Sequence, residues 1–330
     1  MSFDPRFVAT MSRKVDSALS KHLGGEQPYA LLEFPNYDNI GDSLIWLGAL
    51  SRLRYISGRY PSYVATIDEY DPRQLEAACP NGPIFLQGGG NWGDLYPGFQ
   101  LFRERLLADL PHRKVIQLPQ SIHFDEETSV HRAAKAVQSH PNFSMLVRDA
   151  ASQAFAAGRL GIAAELVPDC AFGLGTQQRT PAKQPVLYFM RADKEAVTDH
   201  ALMDGNASID WPKETVEELA VIRKEAKAQS LKHLELSRFR RRLRYFEATA
   251  KMRLRKGSEI LSRGEVVVCD RLHAHILCVL LNIPHVALDN STGKVGEFYR
   301  AWTHGSAVAN YAPDAATARE MLKRIEPVPA

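Results

Sequence analysis

The sequence predicts an α/β fold made of two Rossmann-like domains facing a cleft. Three observations carry the prediction. Short β-forming runs alternate with helical segments along most of the chain, a polar stretch carrying two prolines divides the alternation in two, and polar clusters stand at the ends of successive strands. Alternation at this spacing calls for mainly parallel sheets with helices on both faces. A chain of 330 residues with 45% hydrophobic content has enough material for two cores.

Taken in order, residues 5–23 form an amphipathic opening helix that stops near Gly24 and Gly25. Strands are then expected at 29–34, 63–67, 84–87, 115–118, 144–147 and 165–167, with helices at 43–56, 99–110, 127–139 and 150–157. Residues 1–175 make the first domain. Residues 176–185 are polar, lack periodicity and carry Pro181 and Pro185, so they form the linker. The second domain, 186–330, has strands at 186–190, 266–269, 285–288 and 307–309, and helices at 272–281, 295–302 and 315–325. Two such domains across a cleft describe a GT-B-like architecture.

Within the second domain lies a charged helical insertion at about 212–256, where Phe239, Leu243, Phe246, Ala250 and Leu254 recur at helical spacing among arginines and lysines. The stretch from Arg238 to Lys256 is either a solvated helix packed by that stripe, or a basic face for anionic lipid headgroups or a lipid-diphosphate substrate. The net charge of +3 gives no argument for nucleic acid. The first residues lack the apolar core of a secretory signal, and no apolar run is long enough to span a membrane. Cys79, Cys170, Cys269 and Cys278 show no Cys-x-x-Cys spacing and are expected to be buried, reduced thiols. A cytoplasmic protein is expected, at most peripheral at the inner face of the cytoplasmic membrane.

The chemistry concentrates at strand ends, where an open α/β sheet faces its ligand crevice. Four β-formers run into Asp270, Arg271, His273 and His275, and an apolar helix follows at once. A cation, a carboxylate and two imidazoles at such a place suit an anionic substrate; His275, two residues further along the helix, points elsewhere than His273. Asn39, Gly41 and Asp42 open the first strand-to-helix junction, where backbone amides can hold an anion. Gly88, Gly89 and Gly90, followed by Asn91 and Asp94, form a glycine-rich loop that fits neither a dinucleotide fingerprint nor a phosphate loop with a lysine. Gln120, Ser121, Arg148 and Asp169 close further strands, and Arg191 ends the opening strand of the second domain, where a guanidinium can grip phosphate or carboxylate. Asn290 and Lys294 stand at a fourth strand end of that domain.

Together these pieces resemble the polysaccharide pyruvyl transferase family. The resemblance lies in Asn39-Ile40-Gly41-Asp42, Gln87-Gly88-Gly89-Gly90-Asn91 with Gly93-Asp94, Leu118-Pro119-Gln120-Ser121, Arg148-Asp149, Pro168-Asp169, Arg191, Asp270-Arg271-Leu272-His273, and Leu288-Asp289-Asn290 with Gly293-Lys294. It runs in the family's order over roughly residues 30 to 303. One position departs: Ala274 stands where the pattern usually has glycine, and its methyl group could narrow the acceptor pocket.

The resemblance implies that pyruvate moves from phosphoenolpyruvate onto two hydroxyls of a sugar, forming a ketal and releasing phosphate. The acceptor would be an exopolysaccharide or envelope-glycan precursor, a lipid-diphosphate-linked oligosaccharide among the candidates. Protonation of the donor's methylene carbon makes its neighbour electrophilic, so an acid is required; His273 takes the role of general acid or base. Arg191 becomes the clamp on the donor's phosphate or carboxylate, with Arg271 and Lys294 as weaker candidates. The other strand-end residues would bind donor or acceptor. No cofactor is expected beyond the donor substrate, and no metal, since His273 and His275 make a poor zinc pair. A nucleotide-sugar glycosyltransferase on the same architecture, or a non-catalytic scaffold for glycan assembly, stays open on these residues alone.

Overall fold

The computed structural model describes residues 5–25, 27–192, 207–232, 238–291 and 293–325. A helix α1 (Pro5–Leu19) opens the chain, and a parallel sheet follows, made of β1 (Ala30–Leu32), β2 (Tyr63–Ala65), β3 (Ile84–Leu86), β4 (Gly89–Gly93), β5 (Val115–His123), β6 (Phe143–Val147) and β7 (Ala164–Leu166). Its path is β2-β1-β3-β5-β6-β7, with β4 also paired to β5. The helices between them are α2 (Ile40–Ser57), α3 (Pro72–Ala78), α4 (Pro97–Asp109), α5 (Glu127–Gln138) and α6 (Ala150–Phe155). Strands β1 and β3 read Ala-Leu-Leu and Ile-Phe-Leu and are buried throughout. Strands covered on both faces read as near-continuous apolar runs.

A second parallel sheet, in the order β12-β11-β10-β8-β9, holds β8 (Gln184–Phe189), β9 (Ser208–Ile209), β10 (Gly264–Cys269), β11 (His285–Leu288) and β12 (Ala309–Ala312). Its helices are α7 (Val216–Leu231), α8 (Arg238–Leu261), α9 (Leu272–Leu280), α10 (Lys294–Phe298) and α11 (Ala315–Leu322). The chain is therefore mixed α/β with parallel sheets, as its alternation predicts. Both sheets reverse their order of winding, between β1 and β3 in the first and between β8 and β10 in the second. Such switch points open a crevice beyond the carboxyl ends of the strands.

Three of the differences from the expected elements have a visible cause. The glycine run is not a loop: Gly89–Gly93 is extended and pairs with β5 through Gly89–Gln120 and Gly93–His123. Helix α3 was not anticipated, although Asp71 accepts from the amides of Arg73 and Gln74 and Pro72 sits in the first turn, a standard start signal. The last strand lies at Ala309–Ala312 and not at 307–309, because His285–Ala309 and Leu288–Ala312 set its register on β11.

The sheets are tied by two helices that pack across. Val8 and Met11 of α1 join the core of the second sheet, while Val15, Ala18 and Leu19 join that of the first. In return, Leu243, Phe246 and Ala250 of α8 pack into the first sheet's core, with Phe246 stacked on Phe34 at 4.0 Å and Phe239 edge-on to Tyr63 at 5.3 Å. The stripe of Arg238–Lys256 is thus packed on the protein, the first of the two alternatives read from the sequence. The apolar stripe is spent inside the protein, and many of the cations have internal partners. Arg240 and Arg244 lie over the Tyr60 ring, Arg253 pairs with Glu214, Lys251 with Glu247 and Lys256 with Glu218. Among the described residues, no helix is long and apolar enough to cross a membrane. Cys79, Cys170, Cys269 and Cys278 are buried free thiols.

Candidate active site

A cavity of about 350 Å³ lies where the two switch points meet. From the first sheet it is lined by Tyr37, Asn39, Asp42, Gly90, Asn91 and Arg148, and from the second by Arg191, Trp211, Arg271, His273, Asn290 and Lys294. Four of these are cations and one is a carboxylate, so the cavity favours an anionic guest.

The wall from the first sheet is built by backbone economy and amide side chains. Asn39 caps α2, its Oδ1 accepting from the Gly41 amide at 2.9 Å. A Cβ at Gly41 would stand 2.4 Å from His273 Nδ1, so only glycine lets the start of α2 meet that imidazole. At Gly90 a Cβ would stand 2.9 Å from the Arg148 guanidinium. Gln87 holds α2 in place by donating to the Asp42 carbonyl at 3.0 Å. Gln120 in turn donates to the Gln87 carbonyl and to Asn91 Oδ1, at 3.0 and 2.8 Å, and fixes the amide that faces the cavity.

Arg148 is the hinge of the charge network. Its Nε donates to Ser121 Oγ at 2.9 Å and its Nη1 to Asp169 Oδ2 at 2.7 Å. His273 Nε2 lies 3.4 Å from both Asp169 Oδ2 and Arg148 Nη1. The Arg148 carbonyl accepts from Trp302 Nε1 at 2.8 Å, which anchors this arm of the first sheet on the second. Burial works to raise Asp169, but the hydrogen bond and charge of His273, with the Arg148 guanidinium, outweigh it and hold the carboxyl well below the usual range. Asp42 goes the other way. Burial raises it, and His273, the Tyr37 hydroxyl and Arg148 oppose only in part.

On the second sheet, Asp270 Oδ1 accepts from the Arg191 amide at 2.8 Å and so ties the ends of the adjacent strands β10 and β8. Burial lifts Asp270 to about 6 against the Arg191 amide and the charges of Arg191 and Arg271. Arg271 makes a two-point pair with Asp210. Asp289 accepts from the amides of Val295 and Gly296 and from the Tyr311 hydroxyl, which fixes the start of α10 and Lys294 with it.

Residues 39–292 match the family model described as polysaccharide pyruvyl transferase. The chain belongs to the polysaccharide pyruvyl transferase family. Pyruvyl transferase 1 of Schizosaccharomyces pombe is 30% identical over 302 residues, 86% of this chain and 72% of that one. EpsO of Bacillus subtilis, provisionally designated a pyruvyl transferase, is 33% identical over 292 residues, 83% of this chain and 84% of its own. An uncharacterised protein of Klebsiella pneumoniae has the same fold, with a TM-score of 0.59 at 18% identity over 92% of this chain and 99% of that one.

The motifs of this pyruvyl transferase thus meet in one cavity, but not every residue in them faces it. Gly88 stands behind the wall, toward Pro119 and Ile45, while Gly89 faces Ile45 and Asp42 Oδ1. Gln120, Ser121, Asp169 and Asp270 are buried and act through the residues they hold. Two expected contacts are corrected. Asp94 accepts from the amides of Asp125 and Glu126 and secures the approach to α5, away from the cavity. His275 is fully buried, 2.7 Å from Thr303 Oγ1 and 2.7 Å from His285 Nε2, because two residues along a helix turn a side chain toward the opposite face. Burial and the neighbouring imidazole push His275 well below its ordinary value. Ala274 is also in the core, so its methyl group does not narrow the cavity.

Sequence reasoning missed the aromatic lining, Tyr37, Tyr96, Phe99 and Trp211. It also missed a buried pair behind Asn91, in which Glu33 receives Arg103 at 2.8 and 3.2 Å while Arg103 donates to the Asn91 carbonyl and Oδ1 at 3.0 and 2.8 Å. Tyr37 lies two residues before the Asn39-Ile40-Gly41-Asp42 motif and was within reach of a reading that weighted its neighbours. Glu33 and Arg103 carry no local signal. A larger groove of about 900 Å³ runs between α7 and α8, where Arg253 and Lys256 are paired with Glu214 and Glu218.

Proposed function

We propose that this enzyme takes the pyruvyl group from phosphoenolpyruvate and sets it as a ketal across two hydroxyls of a sugar in an exopolysaccharide or envelope-glycan precursor, releasing phosphate. The observation that carries the reading is the position of His273. It stands inside a cavity rich in Arg and Lys, against Asp169, at the meeting of two switch points. Phosphoenolpyruvate brings a phosphate and a carboxylate, and the four cations supply complementary charge. Arg191 and Lys294, from separate strand ends, are suited to the donor's two anionic ends, with Arg271 beside them. His273 protonates the methylene carbon, which makes the adjacent carbon electrophilic. Asp169 and Arg148 orient the ring. The two sheets then act as the halves of a GT-B-like enzyme, and a lipid-diphosphate-linked precursor suits the open side of the cavity.

The test is phosphate release from phosphoenolpyruvate in the presence of sugar acceptors, with the ketal identified by mass spectrometry. Product dependent on both substrates supports the reading. Turnover only with a nucleotide sugar would overturn it.

A further inference from the structure

We propose that Asp42 is the base that takes the proton of the attacking sugar hydroxyl, an inference that rests on the donor reading above. Of the charged side chains lining the cavity, it is the one carboxylate among the described residues. Its placement is tightly made. The Gln87 amide holds its carbonyl at 3.0 Å, and the Tyr37 hydroxyl donates to Oδ2 at 2.8 Å. Oδ1 lies toward the glycine strand, 3.6 Å from where a Cβ on Gly89 would sit, and no hydrogen bond reaches it from the described residues. The residue preceding it, Gly41, is packed against the His273 imidazole. The acid and the base are therefore brought to the same spot by two different sheets.

The groups that face Asp42 fix its character. His273 and Arg148 favour the carboxylate, while Asp169 and burial disfavour it, leaving a carboxyl that is more basic than usual. His273 has its own carboxylate partner in Asp169, so Asp42 is not needed to orient the imidazole. Tyr37 meets Phe99 edge to face at 6.1 Å, which places an apolar ring surface next to the carboxylate. A sugar ring stacked there would present its hydroxyls to Oδ1.

The protons balance. As the first hydroxyl oxygen bonds to the central carbon of phosphoenolpyruvate, its proton passes to Asp42, and the double-bond electrons take a proton from His273 at the methylene carbon. The carbon–oxygen bond to phosphate then breaks, and phosphate leaves with the proton held by Asp42. The second hydroxyl closes the ketal and returns a proton to His273. Both groups end as they began.

The test uses the full chain, phosphoenolpyruvate and a panel of methyl hexopyranosides. Asp42→Asn should lower kcat about a hundredfold or more while phosphoenolpyruvate binding, followed by tryptophan fluorescence, stays as in the wild type. Asp42→Ala should be inactive and regain turnover in proportion to added formate, which a purely structural role would not allow. Unchanged kcat in Asp42→Asn overturns the assignment, as does an Asp42→Ala protein that binds the donor but ignores formate. A wild-type protein that does not bind phosphoenolpyruvate would instead sink the donor reading itself, and this assignment with it.

Discussion

Replacing Arg103 by methionine removes one partner of an ion pair whose two side chains are both 0% exposed. Glu33 would then be left as a buried carboxylate with no counter-charge, and the Asn91 carbonyl and Oδ1 would each lose a donor. Breaking such a pair costs about 3–5 kcal/mol, most of it the penalty of the stranded charge. At a urea slope near 3 kcal/mol per molar, that moves the unfolding midpoint down by about 1–2 M. The penalty must also depend on pH. Glu33 is already raised by burial, with Arg103 opposing, so deleting the arginine raises it further. A group raised in the folded state contributes stability that is present while it is protonated and lost as pH rises through its folded pKa. The cost of Arg103→Met should therefore be largest at neutral pH and shrink as pH falls toward the ordinary carboxyl range. Adding Glu33→Gln should recover part of the loss at neutral pH and none at low pH. Urea melts of the wild type and the two variants at several pH values are the assay. A cost below about 1 kcal/mol at neutral pH, or one that does not change with pH, would refute the reasoning.

His273→Ala should reduce turnover about 10²–10⁴-fold with an unchanged circular dichroism spectrum; turnover near the wild-type rate removes the imidazole from the chemistry. Gly41→Ala should push the His273 ring from its place, since its Cβ would lie 2.4 Å from Nδ1, and kcat should fall with donor binding retained. Arg191→Ala should raise the KM for phosphoenolpyruvate by about 10–100-fold, as loss of a charge-assisted contact predicts, while the KM for the acceptor stays put. The pair His275 and His285 should make the protein acid-labile. Both are lowered by burial, His285 to about 4 from 6.5, so the unfolded chain takes up protons first and stability falls as pH drops from 6.5 toward 4. A double His275→Leu/His285→Leu variant should show a flatter melting temperature across that range; an unchanged slope rejects the account.

The sequence exposed most of the frame because a parallel sheet writes itself as short buried runs. Ile84–Leu86 and Gly264–Cys269 were legible for that reason, as were the polar groups at their ends. Residues that face the cavity from those ends, such as Arg148, Arg191 and His273, could be picked out singly. What could not be read is direction within an element. His275 differs from His273 by two positions, and only the helix phase sends one to the cavity and the other to Thr303. Asp94 looked like part of the glycine run, yet the extended path of β4 carries it to the α5 approach. Long-range pairing was invisible altogether: Glu33 and Arg103 are 70 residues apart, and Trp302 holds the Arg148 carbonyl across 154. The stripe on α8 was legible, but its partner in the first sheet was not, since periodicity shows that a face is buried and not what buries it.

The crossing of α1 and α8 bears on the order in which the protein can be assembled on the ribosome. Val8 and Met11 are made long before Leu187, Val267 and Ala309, the residues whose core they enter. The first sheet, in turn, lacks Leu243 and Phe246 until α8 has been synthesised. Neither half can close its core alone, so the nascent chain carries open apolar surface until α8 and the second sheet have emerged. Each half expressed by itself would aggregate or require its partner in trans, and a split placed in the 176–185 stretch is recoverable only by co-expression.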